Sequence, residues 1–162
     1  MSCGNFEDGV GVEGFGETAV ALSFVSNPNP WPDYPSTQFY YSQSVYQFAS
    51  TKAAATYFSQ ARTKYATCQY FTESVPADSV PGSGKLETTT QTMSKASVGK
   101  YQAFRVGQIS DLIDIAGITV QLNTLVTVEG TDVVTMVSVG GTNDPVPAGL
   151  MLKLISRVQK LR

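Results

Sequence analysis

The sequence predicts an α+β fold: an antiparallel β-sheet with two helices packed on one face. Three observations carry this. Strand-like runs outnumber helical ones. The late strands follow one another in hairpin order with glycine at the turns. Two stretches, one central and one terminal, place apolar residues at helical spacing. With 162 residues the chain can bury one core. Residues 1–162 are read as a single domain opening on a glycine-rich segment, 1–16.

That segment carries five glycines and reads as loop. Its "GVGVEG" (9–14) matches G-x-G-x-x-G in letters only. A dinucleotide site needs a strand before the motif and a helix after it. Here eight mostly small or polar residues precede, and "ETAVALSFV" (17–25) follows with the alternation of a strand. "NPNPWPDYP" (27–35) holds four prolines and is a stiff surface loop. "STQFYYSQSVYQFAS" (36–50) is an aromatic-rich strand. Next, Ser50 or Thr51 can cap a helix, and the alanines at 53–55 favour one. Ala54, Phe58, Ala61, Tyr65 and Cys68 share its inner face.

"VPADSVPGSGK" (75–85) is linker-like but too short to divide domains. "LETTTQTMS" (86–94) and "GKYQAFRV" (99–106) are strands with Gly99 near their turn. "SDLID" (110–114) reads as a short turn or helix. In "GITVQLNTLVTV" (117–128), Ile118, Val120, Leu122, Val126 and Val128 face one way, and Thr119, Gln121, Asn123 and Thr127 the other. "EGTD" turns the chain and "VVTMVSVGG" (133–141) returns. "DPVPAGLMLKLISRVQKLR" (144–162) closes it as a helix whose apolar stripe is Leu150, Leu154, Val158 and Leu161. Lys153, Arg157, Lys160 and Arg162 load its end, where the helix dipole favours cations. Contact with anionic lipid is the other use of such an end.

The totals exclude several functions. The net charge of −2 gives no electrostatic reason to expect nucleic acid. No run approaches the roughly 20 apolar residues of a membrane span, and no signal peptide is present. The Met-Ser-Cys-Gly opening reads as a start from which an export segment has been removed. Histidine is absent, which removes Ser-His-Asp and Cys-His catalysis and the commonest metal ligand. No catalytic residue, metal site or cofactor is expected, and the chain is read as not an enzyme. A charged fraction of 15%, with many hydroxyl residues, is ordinary for exported proteins.

Three readings of Cys68 stand. It packs as a small apolar residue, or it is a reactive thiol near Lys64, or it is bonded to Cys3. A bond closing so long a loop would add roughly 4 kcal/mol. Cys3 has a rival role, because "SCG" is similar to the end of a bacterial lipobox. Either role places the protein outside the cytoplasm.

"YQFASTKAAATYFSQARTKYATC" (46–68) resembles the helix of the PknH-like extracellular sensor domains of actinobacteria, found on kinases and in related envelope lipoproteins. "GITVQLNTLVTVEGTDVVTMVSVG" (117–140) with "LMLKLISRVQKL" (150–161) resembles their final hairpin and closing helix. The resemblance implies a sheet crossed by two helices, a cleft for an unidentified ligand, no catalysis, and pairing of Cys3 with Cys68. The expected function is a non-catalytic extracytoplasmic sensor or ligand-binding domain of a bacterial envelope protein. The alternative is a structural or protein-interaction module displayed on the cell surface. A lipid anchor or a membrane span upstream would tether either one.

Candidate contacts are aromatic. Trp31 and Tyr34, in the proline loop, can stack on a sugar or peptide, or Trp31 can plug the core edge. Tyr101 belongs to a set with Tyr40, Tyr41, Tyr46, Tyr57 and Tyr65 that can line a cleft or pack with hydroxyls at its rim. Sites poor in His, Lys and Arg suit an uncharged small molecule, glycan, lipid or peptide. Asp111 and Asp114 are read as caps rather than as a catalytic carboxylate pair.

Overall fold

Among the described residues, seven strands form one antiparallel sheet in the order β1-β2-β7-β6-β5-β4-β3. They are β1 (Glu17–Ser26), β2 (Tyr40–Phe48), β3 (Tyr70–Ser74), β4 (Leu86–Val98), β5 (Tyr101–Leu112), β6 (Thr119–Glu129) and β7 (Asp132–Val139). Helix α1 (Thr51–Thr67) follows β2, and α2 (Ala148–Lys160) ends the described chain. The computed structural model describes residues 17–26, 40–74, 86–112, 119–139 and 146–160. The class is α+β, as the sequence predicts.

The hairpins are tight. Val98 pairs with Tyr101 and Glu129 with Asp132, so each loop has two residues. Gly99 and Gly130 open those loops at φ 58° and 59°, a left-handed conformation that costs glycine nothing. Helix α1 is capped by Ser50, whose Oγ accepts from the Ala53 amide at 3.1 Å. All five residues expected on its inner face are buried, together with Tyr57.

The placement of the helices corrects the sequence reading. Residues directly opposite in an antiparallel sheet share a face, and neighbours along a strand do not. Phe104 pairs with Val126, and Val133 with Tyr46. These belong to the cluster that packs under Ala54, Tyr57, Phe58, Ala61 and Tyr65 of α1. Ala103, Leu125, Val134 and Met136 point the opposite way and pack with Met151 and Ile155 of α2. One helix therefore covers each face. The physical reason is that the central strands carry apolar residues in adjacent pairs, Ala103–Phe104, Leu125–Val126 and Val133–Val134. Both faces then need a cover.

Three further differences are local. β5 continues through Leu112, so residues 110–112 are strand, while Asp114 lies outside the described residues. β3, unpredicted, adds an edge against Leu86 to Thr90 of β4. In α2 the buried residues are Met151 and Ile155, while Leu150 is exposed. Apolar residues at 150, 151, 152, 154 and 155 leave two faces open by periodicity, and the hole beneath α2 selects the face centred on Met151.

Candidate functional site

The α1 side of the sheet is closed by aromatic packing. Phe104 meets Phe58 at 5.2 Å and Tyr65 at 5.7 Å between ring centroids, and Phe48 meets Tyr57 at 5.1 Å. The tyrosines at 57 and 65 are thus core residues. Burial pushes the Tyr65 phenol well above its ordinary 10.0, with Tyr57 and Tyr46 adding to the shift. Beyond the C-terminus of α1 lies a buried amide pair. Gln91 Nε2 donates to the carbonyls of Tyr65 (2.8 Å) and Cys68 (2.9 Å), and Gln108 Nε2 donates to Gln91 Oε1 at 3.0 Å. These bonds serve helix-end carbonyls that have no partner within the helix.

The α2 side is divided. Near the Gly99 turn it is apolar and covered by α2. Farther along β5 the same face turns polar. Thr92, Gly107, Asn123 and Ser138 lie directly opposite one another across four strands. Ser94 and Arg105 form the row toward α2, and Thr90, Ile109 and Gln121 the row beyond. A groove of about 200 Å³ opens here, lined by Thr92, Ser94, Arg105, Val106, Gly107, Asn123 and Thr124. Gly107 is its floor. A Cβ at 107 would come within 3.1 Å of Thr92 Oγ1 and 3.9 Å of Asn123 Oδ1, so two polar atoms converge on the space its missing side chain leaves. Arg105 Nη1 donates to the Val146 carbonyl at 2.8 Å, just before α2. That bond fixes the guanidinium at the groove wall.

Tyr101 lies at the other end of this face. Six residue steps along β5 separate it from Gly107, roughly 20 Å. Its hydroxyl accepts from Gln159 Nε2 at 3.2 Å, and Gln159 also donates to Glu129 Oε1 at 3.1 Å. Lys100 Nζ sits 5.4 Å from its ring centroid. Here Tyr101 docks α2 onto the hairpins. Trp31, Tyr34 and Cys3 lie outside the described residues. Cys68 is 4% exposed and is not a free thiol.

The fold has a counterpart among solved structures. The chain is similar to the extracellular domain of PknH from Mycobacterium tuberculosis, with a TM-score of 0.64 and 16% identity over 91% of this chain and 67% of that one. The two share a fold. A weaker likeness, TM-score 0.42 and 12% identity over 89% of this chain and 81% of the other, is to PA94 from Pseudomonas aeruginosa, a protein of unknown function, and carries no argument. No protein-family model and no curated protein matches the chain. Among the described residues no helix is long and apolar enough to cross a membrane.

The groove residues were not singled out from the sequence. Gly107 in the middle of a strand was the available signal, since an interior glycine weakens a strand and marks close approach of something else.

Proposed function

We propose that the chain is a non-catalytic, exported ligand-binding domain of the sensor type, related to the PknH-like extracellular domains of actinobacteria. The observation that carries this reading is the groove over Gly107. Its lining offers the hydroxyls of Thr92 and Ser94, the Asn123 amide and an anchored guanidinium. Such groups hold a ligand by hydrogen bonds, and among the described residues the lining pairs no nucleophile with a base. The fold shared with an extracellular kinase domain supports the reading by analogy. Cys3 is proposed to pair with Cys68, consistent with an oxidising compartment. Trp31 and Tyr34 are proposed as further contacts. Tyr101 is proposed as a further contact too, with Gln159 already donating to its hydroxyl.

Thermal unfolding with a panel of cell-envelope saccharides and peptides tests this. A ligand at a hundred times its Kd should add about 2.7 kcal/mol of stability, and Asn123→Ala should reduce the gain. If every panel member leaves the midpoint unmoved while a protein partner is captured with unchanged affinity by the Asn123 variant, the interaction-module alternative replaces this reading.

A further inference from the structure

We propose that the groove over Gly107 takes a small hydroxylated anion, a saccharide or polyol bearing a carboxylate or phosphate group, with Arg105 receiving the anionic group. This rests on the ligand-binding reading above and names its ligand class.

Charge is the first argument. Of the seven described residues that line the groove, only Arg105 is ionised. It stands in an interior strand of the sheet, half-buried, between Phe104 and Val106, which turn to the opposite face. Among the described residues its hydrogen bond goes to a neutral carbonyl. A guanidinium has five N–H donors in a planar fork, so most remain for a ligand. A partly desolvated cation held by one dipole gains most from an anion that accepts two of those donors.

The other lining groups select what surrounds the anion. Asn123 stands directly across Gly107, and Thr92 lies on its other side. Ser94 pairs with Arg105. Hydroxyls and an amide both donate and accept, which matches ligand hydroxyls. Ile109, on the same face and 46% exposed, adds an apolar surface beside them. A sugar ring presents the same combination of polar rim and apolar C–H face. Size sets the limit. At about 200 Å³, the groove is below the roughly 300–1,000 Å³ of drug-sized sites. It fits a single sugar or the end of a longer chain.

The test uses three matched sugars, D-galacturonate, D-galactose 6-phosphate and D-galactose, titrated into the whole isotope-labelled protein while amide shifts are followed. At least one charged sugar should move the Gly107 and Asn123 amides saturably, about tenfold more tightly than galactose. The two charged arms separate carboxylate from phosphate. Arg105→Gln should remove most of the preference for the charged sugars over galactose. Because Arg105 also holds the Val146 carbonyl, Asn123→Ala serves as a second variant. It should weaken charged and neutral sugars alike. If galactose binds at this groove as tightly as both acids, the ligand class is wrong and the ligand-binding reading stands. If no charged sugar gives saturable shifts at these amides with a Kd below about 10 mM, or if shifts saturate elsewhere only, the inference is overturned.

Discussion

Single polar side chains inside this core serve backbone groups. Gln91, 2% exposed, holds two carbonyls at the end of α1 and accepts from Gln108. Replacing it with leucine of similar size would remove these three hydrogen bonds. The expected cost of Gln91→Leu is about 3 kcal/mol, read by urea unfolding; a loss below about 1 kcal/mol would show that water takes over the role. Tyr65 makes a separate, pH-dependent contribution. Its phenol is raised by burial first and by Tyr57 and Tyr46 next. The folded state therefore keeps a proton that the unfolded chain releases near pH 10. Stability is whole below that pH and falls as pH climbs toward the higher folded value. Tyr65→Phe should flatten this alkaline decline, measured as unfolding free energy between about pH 9 and 11. Equal slopes in the two proteins would assign the decline to other groups. Only the second of these is legible in the sequence. A glutamine in a run of threonines reads as strand surface, whereas the helical spacing puts Tyr65 on the inner face of α1.

At the scale of elements, the closed hairpin between β4 and β5 also positions α2. Gly99 needs φ 58°, and a Cβ there would meet Leu152 Cδ2 at 3.2 Å. Gly99→Ala should cost about 1–2 kcal/mol from the left-handed backbone alone. Because Leu152 lies on α2, amide exchange should also rise along that helix; unchanged protection there would confine the effect to the turn. The elements were largely readable before the structure. Alanines at 53–55 after Ser50, and the i, i+4, i+7 spacing through Tyr65, specify α1. The glycines at 99 and 130 specify the turns. Faces were harder. In β6 the alternation was read as apolar on one side and Thr119, Gln121, Asn123 and Thr127 on the other. Leu125 belongs to that second side and is fully buried under α2. One leucine among polar residues does not outweigh them in a pattern count, yet it marks where a second helix docks. The groove was hidden for the same reason, since its residues share a face only once β4, β5 and β6 are in register.

For the whole molecule, the proposed Cys3–Cys68 bond would tie the glycine-rich start to the end of α1. Alkylation without reductant, followed by intact mass, should add nothing to protein from an oxidising compartment; two labelled thiols would sink the pairing. If bonded, Cys68→Ser should lower stability by about 2–5 kcal/mol. The sheet itself is a partition one residue thick. Arg105 and Gly107 border the groove, and Val106 between them is 1% exposed within the α1 core. From Ala103 to Gly107, odd positions therefore answer to the proposed groove or to α2, and Phe104 and Val106 answer to the aromatic core. A substitution at 105 or 107 changes what the groove offers without emptying the space beneath α1. A substitution at 104 or 106 does the reverse. Sequence drift can then rewrite specificity on one parity while the other keeps the chain folded. Shared architecture at 16% identity is the outcome such a division permits.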